Sequence, residues 1–490
     1  MGVARVAEAR RRVRRAEGRL RSRSGGATRA DAGAPEERGK PEVVVAGGGI
    51  GGLATALALQ RRGVPVRVLE KVKEYKPFGG PIQLAGNAMS TMEAIDPSVG
   101  QQIIESSTVT GDRVNGLIDG RTGEWYCRFD TRKPARKRGL PLTLVISRYR
   151  LLDILRDALP DGVIEQQREV IGYRHAPNCV YAQLSDGSEQ PADVLIGSDG
   201  IHSGVRQTMK DNGQSPTYSG YTCYTATCDY EPPEHERIGY RVYLGYKQYF
   251  VCSDVGNGQT QWYCFRLVEP GQDHEADKRD ALLHHYSDWC ENVRDIIAAT
   301  SPSAIERRDV YDHVPTLRWT DGRVALLGDS AHAMQPNMGQ GGCQAIEDAY
   351  LMAKELGERV EEPSESAIRN ALRRYEAPRR IRAAAVTGFA RMAALLATFY
   401  RHYLGDHPYF LYNYIPGSYS FWKQVQKLRI PHPGRVFGQI GMMTSIDFVL
   451  DYIQGKHYLD PADYTPKCQL ERHSVDEEEF KMRGIPGVAN

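Results

Sequence analysis

Short apolar runs separated by glycine and polar residues dominate the first part of the chain. Val43–Ala46 and Val66–Leu69 read as buried strands, and the Ala- and Leu-rich segment Leu53–Arg62 between them has the spacing of a helix that packs on a sheet. Similar apolar runs return at Asp193–Gly197 and Arg323–Leu327. Strands that alternate with helices in this way predict an α/β fold with a parallel sheet.

The pattern changes after residue 215. Tyr218–Tyr230, Gly239–Val255 and Gln261–Leu267 are rich in Tyr, Val, Thr, Phe and Trp and are separated by glycines, which predicts consecutive antiparallel strands. Such a sheet, inserted between two halves of a nucleotide-binding domain, is a natural floor for a large apolar ligand. A β-rich domain with aromatic residues in its own core explains the same pattern, and both interpretations stay open.

The segment before residue 160 contains a basic residue at an unusual position. Leu142–Ile146 reads as a strand, and Ser147 is expected to cap a helix that runs through Leu159. Arg148 then falls in the first helical turn, where a cation opposes the helix dipole. This cost suggests that Arg148 serves something other than its helix, although an ordinary surface arginine explains the position equally well.

A glycine-rich turn follows the first strand. Gly47, Gly49 and Gly52 have the G-x-G-x-x-G spacing, which allows a sharp turn, close approach of a pyrophosphate and tight packing of helix on strand. Glu70 ends the second strand, where its carboxylate can accept hydrogen bonds from a ribose. We therefore predict a dinucleotide site whose candidate residues are Gly47, Gly48, Gly49, Ile50, Gly51, Gly52, Leu53, Glu70 and Lys71.

A second glycine-rich stretch, RVALLGDSAHAMQPNMGQGG, begins at Arg323. Asp329 follows a strand end, where it can bind a ribityl hydroxyl, and the glycines begin a helix whose positive end can face the N1–C2=O edge of a flavin. His332 is interpreted as a packed or surface histidine rather than a catalytic base. The candidate flavin contacts in this stretch are Gly328, Asp329, Pro336, Asn337, Gly339, Gly341 and Gly342.

Together these patterns predict a Rossmann-like FAD-binding domain with an inserted antiparallel β-sheet substrate domain and C-terminal helices. Helical patterns cover about 364–404 and a short apolar helix is expected at about Gly441–Ile453. The predicted segments are a basic tail (1–40), a discontinuous FAD-binding domain (41–215 and 318–360), a β-rich substrate domain (216–317), a C-terminal helical region (361–455) and a polar tail (456–490).

Charge and cysteine content exclude several function classes. Residues 1–40 hold 12 Lys and Arg against 5 Asp and Glu, whereas the rest of the chain holds 51 against 56, so the folded body is mildly acidic and does not suggest a nucleic-acid partner. The nine cysteines form no C-x-x-C pair and no cluster with zinc spacing, so no metal site is expected. The sequence contains no run of 18 apolar residues, so no transmembrane helix is expected.

The two glycine motifs, Glu70, the pair Asp199-Gly200 and the G-D-x-x-H-x-x-x-P pattern from Gly328 to Pro336 resemble the single-component, FAD-dependent aromatic hydroxylase class of monooxygenases. Within that class, the blocks GPIQ, DRVNGLIDG, GLPLTLVISR, TYSGYTCYTA and RIPHPGRV resemble the zeaxanthin epoxidase family of plants and algae. The resemblance implies bound FAD, with Arg148 and Asp199 along the cofactor. It departs from the land-plant pattern because no C-terminal forkhead-associated domain is expected here.

The resemblance also implies a reaction. Zeaxanthin and antheraxanthin would be epoxidised on their β-ionone rings to violaxanthin with O₂, through a flavin C4a-hydroperoxide, and NAD(P)H or reduced ferredoxin would donate the electrons. No side chain is assigned as a catalytic acid or base. The implied location is the chloroplast, in the stroma or at the periphery of the thylakoid or envelope membrane, which favours a transit-peptide interpretation of the basic tail over a disordered tail.

Two questions stay open at this point. The helical patterns near 381–404 and 441–453 are compatible with a peripheral membrane contact that delivers the carotenoid, but core helices explain most of their length. The rival functions are a hydroxylase of a small aromatic substrate and a flavoprotein that binds carotenoid without catalysis.

Overall fold

The computed structural model describes residues 40–76, 80–209, 215–271, 277–399, 433–454 and 459. The predicted basic tail, apart from Lys40, and the polar tail, apart from Leu459, lie outside the described residues. So do the first half of the RIPHPGRV block and residues 400–404 of the predicted helical region.

The described strands are β1 (Val43–Ala46), β2 (Val66–Glu70), β3 (Ile82–Leu84), β4 (Thr108–Val109), β5 (Val114–Asp119), β6 (Trp125–Phe129), β7 (Leu144–Ile146), β8 (Ile164–Gln166), β9 (Val170–His175), β10 (Val180–Leu184), β11 (Glu189–Ala192), β12 (Val194–Gly197), β13 (Thr217–Cys228), β14 (Ile238–Gly245), β15 (Gln248–Gly256), β16 (Gln259–Arg266), β17 (Glu306–Asp312), β18 (Thr320–Asp321) and β19 (Val324–Leu326).

The described α-helices are α1 (Ile50–Arg61), α2 (Gly86–Ile95), α3 (Pro97–Glu105), α4 (Arg132–Arg138), α5 (Arg148–Asp157), α6 (Gly204–Thr208), α7 (Lys278–His285), α8 (Glu291–Ala298), α9 (Asp329–His332), α10 (Gly341–Arg359), α11 (Glu365–Phe399) and α12 (Pro433–Gln454), with short 3-10 turns at Pro302–Ala304 and Pro336–Met338.

A six-stranded sheet in the order β18-β19-β12-β1-β2-β8 forms the core of the first domain. Strands β19, β12, β1, β2 and β8 pair in parallel, as predicted from the apolar runs, and β18 pairs antiparallel to β19. The valines of β1 are fully buried, as is usual for a strand inside a parallel sheet. The chain leaves β1, β12 and β19 at the same sheet edge, so the three following loops converge there.

A second sheet has seven strands in the order β17-β13-β16-β15-β14-β5-β6. The predicted run Gly239–Val255 is a hairpin of β14 and β15 rather than one strand, with Lys247 in a left-handed conformation at its turn. Strands β5 and β6 extend the sheet at one edge, and β14 pairs in parallel with β5. Within the predicted insertion, β13 to β17 pair antiparallel, as predicted. The whole sheet is mixed because β5 and β6, which precede the insertion in the chain, are added at one edge.

Helices α11 and α12 cover the region where the two sheets meet. The predicted short helix at Gly441–Ile453 begins earlier, at Pro433, where proline is well tolerated because the first helical turn needs no N–H partner. Among the described helices, α11 alone is long and apolar enough over Glu365–Thr398 to cross a membrane by length and composition, and 39% of its most apolar window is buried.

Candidate cofactor and substrate site

A cavity of about 820 Å³ lies between the converging loops, the second sheet and helices α11 and α12. Its wall includes both glycine-rich stretches, which are almost 300 residues apart in the chain. The predicted cofactor residues that line the cavity are Gly49, Ile50, Gly51, Arg148, Gly328, Asp329, Pro336, Asn337, Gly339, Gly341 and Gly342. The predicted residues that do not line it are Gly47, Gly48, Gly52, Leu53, Glu70, Lys71 and Asp199.

The glycines of the first turn have different structural roles. Gly47 has φ +102°, and a Cβ on Gly52 would lie 1.9 Å from the Gly47 carbonyl oxygen, so these two positions accept only glycine without backbone movement. A Cβ on Gly49 would meet nothing within 4 Å. Gly49 therefore leaves open space in front of the first N–H groups of α1, where a diphosphate is favoured by the free donors and the helix dipole.

Glu70 holds the glycine turn from the end of β2. Its Oε2 accepts a hydrogen bond of 2.6 Å from the Gly48 N–H, and its Oε1 accepts one of 2.9 Å from the Val72 N–H. Tyr75 closes the other side of the turn, with its hydroxyl donating to the Gly48 carbonyl at 3.0 Å. Glu70, the residue predicted to bind the ribose, thus lies at the expected strand end, and its carboxylate also stabilises the turn. Lys71 next to it is exposed.

Arg148 and Asp199 have different surroundings. Ser147 caps α5 as predicted, with its hydroxyl accepting from the Arg150 N–H, and this places Arg148 on the cavity wall. Arg148 is exposed and forms no hydrogen bond or ion pair with the described residues. Its position on the cavity wall favours a role in ligand binding over that of an ordinary surface arginine.

Asp199 lies one residue outside the cavity lining, between Ser198 and Gly200, which do line it. Its Oδ2 accepts a hydrogen bond of 3.2 Å from the Val205 N–H in α6, and its Oδ1 has no hydrogen-bond partner among the described residues. Burial raises the pKa of this carboxyl above its ordinary value. A buried acceptor without a partner beside a cavity is a candidate for a ligand hydroxyl.

The second glycine stretch presents backbone N–H groups and one carboxylate to the cavity. Asp329 is exposed at the start of α9, and α10 begins at Gly341 with no side chain capping its first N–H groups. The Asn337 side chain is already engaged, since its Oδ1 accepts from Tyr221 at 2.8 Å and its Nδ2 donates to Tyr249 at 2.5 Å. Asn337 thus ties this loop to the second sheet, and it is the loop backbone that faces the cavity.

The second sheet forms the cavity floor in three rows of neighbouring residues. The row nearest Asn337 contains Leu244, Tyr249 and Phe265, and the rings of Tyr249 and Phe265 stack at 4.5 Å. The middle row contains Leu117, Val242, Val251 and Tyr263. The third row contains Asn115, Tyr240, Ser253 and Gln261. All of these residues line the cavity, and none of the described sheet residues that line it is charged.

A buried ionic network behind the second loop was not predicted. Glu347 accepts hydrogen bonds of 2.7 Å from both Nε and Nη2 of Arg382 and also binds Arg379, whose Nε lies 2.6 Å from Asp348. Arg382 further donates to the carbonyls of Tyr452 and Ile453 at the end of α12. The network therefore joins α10, α11 and α12. Carboxylates within the apolar pattern of α10 are the sequence signal that indicates such a cluster.

His332 belongs to the edge of this network. Its Nε2 lies 2.6 Å from Asp348 Oδ2, and its ring packs on Trp319 with 5.2 Å between ring centroids. Asp348 also accepts from the Gly328 N–H at 3.0 Å. Of the two interpretations of His332, as a packed or a surface histidine, the structure supports the packed one. Among the described residues, no group of three or more His, Cys, Asp or Glu side chains is arranged to hold a metal ion.

The residues present fit FAD. Open space at Gly49, free N–H groups at the starts of α1 and α10, an unpaired Arg148 and the partnerless Asp199 Oδ1 are placed around one cavity and the adjoining strand end. The first turn and Glu70 would hold the ADP part, whereas Asp329 and the Gly339–Gly342 loop would hold the ribityl chain and the ring.

Comparison with known proteins agrees with an FAD-binding fold. Residues 40–390 match the model of the FAD binding domain. Among solved structures, Klebsiella pneumoniae HpxO complexed with FAD and uric acid has a TM-score of 0.70 at 24% identity and covers 84% of this chain and 97% of its own. A salicylate hydroxylase substrate complex has a TM-score of 0.64 at 21% identity, with 86% and 100% covered. These likenesses confirm the predicted fold.

Curated relatives are more similar in sequence. A chloroplastic zeaxanthin epoxidase from Oryza sativa subsp. japonica is 46% identical over 448 residues, which cover 89% of this chain and 66% of the relative. The enzyme of the same name from Spinacia oleracea is 44% identical, with 88% and 63% covered. The chain thus spans slightly less than two thirds of the length of these relatives. The chain belongs to the FAD binding domain family, and over most of its length its sequence is similar to that of plant zeaxanthin epoxidases.

Proposed function

We propose that the protein is an FAD-dependent monooxygenase that epoxidises the β-ionone rings of zeaxanthin and antheraxanthin to give violaxanthin. The similarity to plant zeaxanthin epoxidases and the fit of the cavity to FAD support this function. The observation that carries it is the cavity floor, which offers two rows of apolar and aromatic side chains, with no charged residue among the described lining residues of the sheet.

The floor distinguishes this proposal from a hydroxylase of a small aromatic acid. Such an enzyme needs a cation to hold the carboxylate of its substrate, because a buried carboxylate is costly unless it is paired. Arg148 is the one cation among the described residues that line the cavity, and it lies at the start of α5 rather than on the sheet. A carotenoid needs no such partner and gains free energy from apolar burial.

The protein's part in the reaction is to bind, orient and exclude water. The glycine turn with Glu70 and the Gly339–Gly342 loop position the cofactor, which supplies the redox chemistry and the activation of O₂ when bound. Tyr249 and Phe265 face the cavity beside Asn337, so they can press an apolar substrate against the cofactor side and keep water out. No described side chain has to serve as a nucleophile.

The electron donor is proposed to be NAD(P)H or reduced ferredoxin, and the compartment is proposed to be the chloroplast, since the similar relatives are named chloroplastic. Within it, we propose a stromal protein that works at the surface of the thylakoid or envelope membrane. A carotenoid must be withdrawn from a membrane, and the cavity lies under two helices with apolar outer residues.

These helices are the proposed membrane contact. Leu396 on α11 and Ile446 on α12 line the cavity, whereas Leu395, Phe437 and Phe448 on the same helices are 55%, 75% and 66% exposed. Exposed apolar side chains of this size on surface helices favour an interfacial position. Flotation with galactolipid vesicles tests this: Phe437→Ser with Phe448→Ser should abolish co-flotation, and unchanged binding would remove α12 from the contact.

Product analysis tests the reaction itself. FAD-loaded protein is incubated with zeaxanthin in galactolipid vesicles, O₂ and either NADPH or reduced ferredoxin with its reductase, and the pigments are separated by chromatography. O₂-dependent antheraxanthin and violaxanthin are expected with at least one donor. FAD-loaded protein that binds zeaxanthin but forms no epoxide with either donor would instead favour a carotenoid-binding flavoprotein.

A further inference from the structure

The third row of the cavity floor differs in chemistry from the other two. Asn115, Tyr240, Ser253 and Gln261 are direct neighbours across β5, β14, β15 and β16, and all four line the cavity. Since side chains alternate between the two faces of a strand, the three rows follow one another at steps of two residues. The polar row therefore lies about 13 Å along the strands from the row that contacts Asn337.

Three members of this row already have hydrogen-bond partners within the protein. Asn115 Nδ2 donates to the Arg113 carbonyl at 2.8 Å, and Ser253 Oγ donates to the Asp254 carbonyl at 3.3 Å. Gln261 donates from Nε2 to Thr225 and accepts on Oε1 from Thr227, both at 2.6 Å. These bonds fix the orientations of the side chains on either side of Tyr240.

Tyr240 is the exception. Its hydroxyl makes no hydrogen bond with any described residue, although its neighbours across the sheet, Asn115 and Ser253, are both hydrogen-bonded. Burial raises the pKa of the Tyr240 phenol well above its ordinary range, so the hydroxyl stays protonated and remains a donor. A partly buried donor without a partner, at the polar end of an otherwise apolar floor, fits a ligand that is apolar except for a hydroxyl group.

We infer that Tyr240 hydrogen-bonds a ring hydroxyl of the substrate and, with the fixed polar groups around it, selects hydroxylated carotenoids over hydrocarbon ones. This inference rests on the proposed function. Zeaxanthin carries one hydroxyl on each ring and β-carotene carries none, so the two pigments differ in the group that the row would recognise. Tyr240 then acts as a positioning and specificity residue, because a hydrogen bond to one hydroxyl fixes the position of the substrate along the floor.

Equilibrium binding tests the inference without relying on turnover. FAD-loaded protein is titrated with detergent-dispersed zeaxanthin or β-carotene, and quenching of flavin fluorescence gives the dissociation constants. Tyr240→Phe should weaken zeaxanthin binding about fivefold, as expected for one net hydrogen bond, and leave β-carotene binding unchanged. Tyr243→Phe is the matched control, because Tyr243 lies on the same strand but points into the core on the opposite face. It should retain wild-type binding of both pigments.

The outcomes separate the inference from the function on which it rests. Loss of discrimination in Tyr240→Phe, with FAD content and melting temperature unchanged, supports the inference. Equal weakening of both pigments, or no change in either, overturns it and leaves the proposed function intact. Absence of binding of both pigments to the unmodified protein overturns the proposed function and the inference together.

Discussion

The two ends of the cavity are built in different ways. The cofactor end consists mainly of backbone: glycine turns at strand ends and the first N–H groups of α1 and α10, held from behind by Glu70 and by the Glu347 network. The substrate floor consists of side chains from β5, β14, β15 and β16, brought together by strand pairing. The cofactor end tolerates few substitutions because it acts through the positions of its backbone N–H groups. The floor tolerates side chains of different size because one of its faces is open to the cavity.

Among substitutions that compare the two ends of the cavity, we expect the largest loss of stability at Glu347. Glu347→Gln removes the charge that pairs with Arg379 and Arg382, which are almost completely buried, and leaves the guanidinium groups under-compensated. We expect a loss of about 3–5 kcal/mol in the free energy of unfolding. Urea unfolding measures it. The control Glu365→Gln removes an exposed i,i+4 pair with Arg369 and should cost less than about 0.5 kcal/mol. Equal losses in the two variants would contradict the assigned role of the network.

Acid should weaken the same end. Burial alone would raise the pKa of Glu347, but Arg382 and Arg379 lower it from 4.5 to about 2. Because the folded-state pKa lies below the unfolded-state value, the stabilisation by the charged carboxylate is complete above about pH 4.5 and is lost as the pH falls toward about 2. Urea unfolding midpoints across this range measure the loss. Glu347→Gln should decline less steeply, and an unchanged slope would assign the acid sensitivity to other groups such as Asp348.

The glycine turn provides a sharper comparison within the cofactor end. In Gly52→Ala the new methyl group meets the Gly47 carbonyl, so we expect a loss of about 3 kcal/mol or more in stability. In Gly49→Ala the methyl group enters open space, so stability should hold while the dissociation constant for FAD rises at least about tenfold. Thermal unfolding of the apoprotein and titration with FAD separate the two effects. Tight FAD binding by Gly49→Ala would place the diphosphate elsewhere.

The smallest effect is expected on the floor. Val242→Ala removes methyl groups that already face the cavity, so we expect a stability loss below about 1 kcal/mol. Val45→Ala makes the same change in the fully buried strand β1 and should cost about 2 kcal/mol or more. Denaturant unfolding compares the two variants directly. A larger loss at Val242 would mean that the floor is as tightly packed as the core.

The sequence by itself determined the cofactor end in some detail. Glycine spacing, the acid at the end of β2 and the Ser147 cap depend on local conformational rules, and each is found where it was predicted. Eleven of the predicted cofactor residues line one cavity for this reason, since strand order and the convergence of loops at one sheet edge follow from the α/β pattern. The sequence left His332 as either a packed or a surface histidine, and the structure buries it beside Asp348.

Only the tertiary structure decided the rest. The pairing of β5 with β14, the three rows of the floor and the contacts of Glu347 with Arg379 and Arg382 join residues that are far apart in the chain. Local periodicity specifies which face of a strand is apolar, but it does not specify the neighbouring strand, because pairing depends on which surfaces are buried together. The cofactor end could therefore be predicted from local sequence signals, whereas the substrate floor forms only when strands far apart in the chain pair.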